Sequence, residues 1–153
     1  MAVTSIQGNT AYTLCFDSTL YTSPILDLLL ANVPEEWHFD LRLGLQEALV
    51  NAVKHGNKFD QSRKVTIDFF MASHTYHWIV KDQGVEGKAI IENQLPHCES
   101  ECGRGIYIMQ QVFDYVHWNH GKRQLHLLKQ LNIIDSSVNY SYPITNSSLE
   151  MAY

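Results

Sequence analysis

Apolar and polar residues alternate along several short stretches of the chain, and turn-forming residues separate these stretches. Side chains two positions apart share one face of a strand, so the alternation predicts β-strands. The predicted strands are residues 12–16, 64–71, 76–80, 115–118 and 124–131. A turn near Ser73-His74 and another at His120-Gly121 would join two pairs of them as hairpins.

Apolar residues at helical spacing predict three helices, over residues 25–30, about 39–56 and 105–113. The first has a wide apolar face and ends before Pro34. The second has a continuous apolar stripe. That stripe consists of Leu41, Leu45, Ala48, Leu49 and Ala52.

The elements follow in the order strand, helix, helix, strand, strand, loop, helix, strand, strand. Short connections between consecutive strands favour antiparallel pairing, so the predicted fold is an α+β two-layer sandwich with helices on one face of the sheet. Residues 82–102 are polar and are predicted to form a long loop, which in a compact domain is usually functional. We expect one domain over residues 1–134 and a polar tail or extension over 135–153.

Charge and composition narrow the class of protein. A net charge of −5 argues against a general nucleic-acid binder, because phosphate backbones require a surplus of Lys and Arg. The N-terminus has no signal-peptide pattern, and the longest apolar stretch, residues 25–33, is too short to span a bilayer. Three cysteines (Cys15, Cys98 and Cys102) are typical of a reducing cytoplasm, so a cytoplasmic protein without membrane contact is expected.

The second predicted helix carries a polar stripe, because Glu47, Asn51 and His55 are each four residues apart. The amide oxygen of Asn51 suits Mg²⁺, and a carboxylate one turn earlier can accept a proton. Such a stripe is more often a solvated helix face. His55 either joins this site or interacts with the C-terminal end of its helix, where a cation is favoured.

Two glycine-containing segments follow. Asp82 ends an apolar strand, where its carboxylate can accept a hydrogen bond from an amine, and Gly84 allows a planar ring to approach the backbone. Gly103 and Gly105 flank the predicted start of the last helix, where free amides and the helix dipole favour phosphate, and Arg104 adds a forked donor. Each segment alone is more often an ordinary turn or cap.

Together the segments resemble the GHKL ATPase and kinase superfamily, and specifically its anti-sigma factor kinases. The stretch EALVNAVKHGN resembles that family's N box, VKDQG its first glycine box and GRGIYIM its second. The resemblance implies a mixed, mostly antiparallel sheet backed by helices, with Glu47 as general base, Asn51 on Mg²⁺ and Asp82 on adenine. The implied nucleotide site comprises Asn51, His55, Asp82, Gly84, Gly103, Arg104, Gly105 and Ile106.

The resemblance also implies an activity and partners. The family uses ATP and Mg²⁺ to phosphorylate a serine or threonine on an anti-anti-sigma protein of the STAS type; a sigma factor is a further partner, and many members are homodimers. A second hypothesis is a nucleotide-gated anti-sigma module that captures its partner without phosphorylating it. A third, the catalytic half of a histidine kinase, is disfavoured because the residues before Phe39 include no dimerising helix with a phospho-accepting histidine.

The sequence departs from the family's pattern in the first glycine box. The family commonly has Asp-x-Gly-x-Gly, whereas Glu86 stands here at the second glycine position. A carboxylate near phosphates would repel them, which favours the non-catalytic hypothesis. His97, Cys98 and Cys102 form a weaker alternative, a zinc site, although free cysteines are more typical of such spacing.

Overall fold

A computed structural model describes residues 2–6, 11–84 and 101–131 of the chain, with side chains over 11–84 and 104–131. Most of the predicted loop, including Glu86, His97 and Cys98, lies outside the described residues, as do the side chain of Cys102 and the predicted tail.

Six antiparallel strands form one sheet in the order β1-β2-β3-β4-β6-β5. They are β1 Ala2–Ile6, β2 Ala11–Asp17, β3 Lys64–Ala72, β4 Thr75–Asp82, β5 Tyr115–Asn119 and β6 Gln124–Gln130. The five predicted strands are confirmed. Every pairing described is antiparallel, so the sheet is not mixed over these residues. Strand β1 was not predicted, because its short sequence AVTSI has little alternation.

Three α-helices accompany the sheet: α1 Ser23–Leu30, α2 His38–Asn51 and α3 Glu101–Val112. A π-helical segment, Ala52–Gly56, continues α2, so the long helix predicted to end near residue 56 changes its winding in its last turn. Helix α3 begins at Glu101 rather than at Gly105 as predicted. None of the helices in the described parts of the chain is long and apolar enough to cross a membrane.

The core lies between the helices and one face of the sheet. Alternate side chains of β3 (Val65, Ile67 and Phe69) and of β4 (Tyr76, Trp78 and Val80) are buried on this face. The predicted stripe of α2 is buried against them, because helical and strand periodicity each place their apolar residues on one side. The predicted two-layer α+β fold is therefore confirmed, and it brings the C-terminal end of α2 beside the end of β4.

Candidate functional site

The C-terminal end of α2 forms the centre of the candidate site. Glu47 and Asn51 lie one turn apart on this helix, and both are half-buried. The π-helical winding begins directly after Asn51, and the amide of Asn57 donates to the carbonyl of Ala52 over 2.8 Å. Such π-helical turns occur frequently at functional sites, because they change the direction of side chains within a helix. His55 lies on this segment and is exposed.

Asn57 joins the end of this segment to the sheet. Its side chain is fully buried, at 0% exposure. The Nδ2 group donates to the carbonyl of Lys64 over 3.0 Å, and Oδ1 accepts from the amide of Gln83 over 2.8 Å. One side chain thus ties the helix end to both β3 and β4. Sequence reasoning treated Asn57 only as a helix stop, because its two partners are distant in sequence.

Asp82, the last residue of β4, packs directly against the same helix end. A Cβ atom added to Gly56 would lie 2.3 Å from Cγ of Asp82, so the contact requires glycine. The Asp82 side chain is only 3% exposed. Gly56 follows Asn51 by roughly one to two helical turns, so the predicted magnesium ligand and the predicted adenine acceptor lie at one end of α2.

Arg123, in the turn between β5 and β6, is a residue of this site that sequence reasoning missed. It forms an ion pair with Asp82 and is itself 22% exposed. Its Nε donates to Oδ1 of Asp82 over 3.1 Å, and its Nη2 donates to the same oxygen. The amide of Gly84 also donates to Oδ1, over 2.8 Å. No local motif signals this residue, because only the antiparallel pairing of β6 with β4 brings it to Asp82.

Gly84 has a packing reason to be glycine. A Cβ atom there would lie 2.0 Å from the carbonyl oxygen of Gly56 and 2.5 Å from Nη2 of Arg123. Since the first of these atoms belongs to the backbone, no side chain can be accommodated without moving the strand end away from the helix. The predicted approach of a planar ring to Gly84 stays a prediction.

Helix α3 contacts Glu47 and Asn51 through Gly105. A Cβ atom at Gly105 would lie 2.6 Å from Oε2 of Glu47 and 3.6 Å from Nδ2 of Asn51. The N box and the second glycine box therefore meet in space. This contact places the backbone of α3 beside the carboxylate that is predicted to act as base.

The predicted phosphate-binding residues divide between the open end of α3 and its interior. Gly103 and Gly105 were expected to flank the start of the helix, but both lie inside it, because α3 begins at Glu101. The amide of Gly103 belongs to the first turn, which lacks intrahelical acceptors, whereas that of Gly105 lies beyond it. Arg104 is exposed beside them, and Ile106 packs against the core.

The donor set fits a magnesium nucleotide better than a metal bound by protein alone. Within the described residues, no three His, Cys, Asp or Glu side chains converge as metal ligands. Mg²⁺ prefers oxygen ligands and usually binds through one or two protein groups together with phosphates and water. Asn51 and the neighbouring Glu47 supply such oxygens at a half-buried helix end.

Comparison with known families agrees with this geometry. A family model described as "Histidine kinase-like ATPase domain" matches residues 26–129. The matched range extends from α1 into β6, and so includes both helix ends and the Asp82–Arg123 pair. This match supports the GHKL-type superfamily and the binding of ATP, but it does not reach the anti-sigma kinases in particular. No curated protein matches the chain significantly.

Proposed function

We propose a specific reaction for this chain, which belongs to the histidine kinase-like ATPase domain family: it transfers the γ-phosphoryl group of ATP to a serine or threonine hydroxyl of a partner protein. The observation that carries the proposal is the convergence of Glu47, Asn51 and Gly105 at the helix end against which Asp82 packs. A base, an oxygen ligand and an amine acceptor are thus available around one end of α2.

Each residue has a role that follows from its chemistry. Glu47 accepts the proton from the attacking hydroxyl, so that the new O–P bond forms as ADP leaves. Asn51 would hold Mg²⁺, which supplies positive charge beside the phosphates when bound. The guanidinium of Arg104, exposed at the open end of α3, is available to phosphate oxygens. Asp82 orients the base by accepting the exocyclic amine of adenine.

The acceptor and its setting rest on the sequence motifs. The N box EALVNAVKHGN and the second glycine box GRGIYIM resemble those of anti-sigma factor kinases. We therefore propose a STAS-type anti-anti-sigma protein as the phosphate acceptor and a sigma factor as the alternative partner, in the cytoplasm. A homodimer is part of the same proposal, and light scattering after size-exclusion chromatography measures it directly.

Replacement of the proposed base tests the reaction. We expect Glu47→Gln to retain ATP binding, because the amide keeps the size and polarity of the side chain, and to reduce phosphate transfer by about a hundredfold or more. Transfer is measured with γ-labelled ATP, Mg²⁺ and a STAS-domain protein, and binding by calorimetry. The matched control is Glu36→Gln, which changes an exposed carboxylate in the short 3₁₀ turn before α2. Equal transfer rates in the two variants would exclude Glu47 as the base.

A second candidate is a nucleotide-gated module that binds its partner without phosphorylating it. The sequence favours this alternative at one position, where Glu86 replaces the second glycine of the first glycine box. Tight MgATP binding by the wild-type protein, with nucleotide-dependent partner binding and no labelled partner, would establish this function instead. The Glu47→Gln variant would then bind the partner as the wild type does.

A further inference from the structure

We propose that Arg123 is a second base-recognition residue, which donates to ring nitrogen N1 of adenine while Asp82 accepts the exocyclic amine. This inference rests on the proposed binding of an adenine nucleotide at Asp82. It adds a residue from the β5–β6 turn, outside the three sequence motifs, and it concerns which base the site selects.

The ion pair has a geometry that leaves part of the carboxylate available. The hydrogen bonds that described residues donate to Asp82 all end on Oδ1, from Nε and Nη2 of Arg123 and from the amide of Gly84. Arg123 therefore approaches one oxygen of the carboxylate from the side, instead of bridging both oxygens in the usual fork. The other oxygen, Oδ2, faces Gly56, where a Cβ atom would lie 2.5 Å from it.

Hydrogen-bond chemistry then favours adenine as the partner of the pair. The edge of adenine presents a donor, the exocyclic amine, beside an acceptor, N1. A carboxylate has acceptors only and can satisfy the amine alone, whereas a guanidinium has five N–H donors and no acceptor. Asp82 and Arg123 side by side thus offer an acceptor next to donors, which is the complement of that edge.

The turn that carries Arg123 holds its guanidinium in place. Arg123 has a left-handed backbone with φ of 51°. Its amide donates to the carbonyl of His120 over 3.3 Å, and the amide of Lys122 donates to Oδ1 of Asn119 over 3.1 Å. The side chain is thus oriented before the base arrives, which reduces the entropy that binding would cost.

The charges of the pair also favour a fixed arrangement. The Asp82 side chain is 3% exposed, and an unpaired carboxylate at such a position would be costly. Arg123 compensates this charge in the nucleotide-free protein. The same guanidinium is therefore expected to remain beside Asp82 when the base binds.

The decisive measurement compares ADP with 1-deaza-ADP, in which a C–H group replaces N1. Calorimetry on the wild-type protein should show ADP binding about tenfold tighter or more, because a hydrogen bond from a charged donor is lost in the analogue. In Arg123→Met, ADP affinity should fall by about tenfold, and the ratio between the two nucleotides should approach one. Lys122→Met, a change at the exposed neighbouring position of the same turn, should leave the ratio as in the wild type.

The outcomes separate this inference from the proposed function. Equal affinities of the wild-type protein for the two nucleotides would overturn the role of Arg123 and need no variant, so the result does not depend on whether Arg123→Met folds. Tighter ADP binding by Arg123→Met would also overturn it, because Arg123 would then block the base. Asp82→Asn should weaken both nucleotides alike; if it leaves both affinities unchanged, the proposed site itself is wrong.

Discussion

Gly105 illustrates how one residue can matter for chemistry more than for stability. It lies within α3, where glycine is less favourable than alanine by roughly 1 kcal/mol. A Cβ atom here would contact Oε2 of Glu47 at 2.6 Å. That oxygen is the end of a flexible side chain, so the carboxylate can move aside at little cost in folding free energy. Its displacement, however, removes the proposed base from its position.

We therefore expect Gly105→Ala to change the free energy of unfolding by less than about 1 kcal/mol while phosphate transfer falls by about a hundredfold. Denaturant unfolding and the labelled-ATP assay measure the two effects separately. Gly121→Ala is the control, because the nearest atom to a Cβ there is Oδ1 of Asn119 at 3.7 Å. Full activity in Gly105→Ala would mean that the position of Glu47 is not critical.

At the scale of elements, the site depends on the junction of α2 with β3 and β4, which Asn57 forms. Asn57→Ala removes the partners of two backbone groups, the carbonyl of Lys64 and the amide of Gln83. Unsatisfied groups of this kind cost about 1–3 kcal/mol each, so we expect the free energy of unfolding to fall by about 2–4 kcal/mol.

The same variant should bind ADP more weakly, because Asp82 is adjacent to Gln83 and relies on this junction. Urea unfolding and calorimetry provide the two measurements. Asn32→Ala is a suitable control, because Asn32 is exposed after α1. A loss of stability equal to that of the control would show that the junction is held by backbone packing alone.

Elements with a strong internal pattern could be predicted from the sequence, whereas contacts between elements could not. The stripe of α2 and the alternation of β3 and β4 repeat over several residues, and their predictions are confirmed. The start of α3 was placed too late, because two glycines suggested a cap where the helix continues. Arg123 and Asn57 carry no local signal: their roles arise from strand register and from a side chain that reaches distant backbone groups.

For the molecule as a whole, the sheet has one face covered by helices and a second, partly exposed face that the core does not use. His77 and His126 lie on this second face, on the neighbouring strands β4 and β6. His77 stacks on Phe70 with ring centroids 4.4 Å apart, and His126 lies near His117, with centroids 6.4 Å apart.

These surroundings lower the pKa values of two histidines. Burial lowers the pKa of His77 below 6.5, and the charge of His126 adds to the effect. Burial also lowers the pKa of His126, with smaller contributions from His117, Lys122 and Lys81. On β3, Asp68 also faces this side of the sheet and is paired with Lys81.

The sign of the resulting pH dependence follows from proton binding. Below about pH 6.5 the unfolded chain protonates these histidines, whereas the folded protein takes up the protons only at lower pH, so stability falls as pH falls. We expect His77→Gln combined with His126→Gln to reduce the loss of melting temperature between about pH 7.5 and about pH 5.5. Calorimetric scans at both pH values test this, with His74→Gln, in the exposed β3–β4 turn, as control. An unchanged pH dependence in the double variant would show that the open face of the sheet does not resist protonation, and that other groups cause any acid sensitivity of the fold.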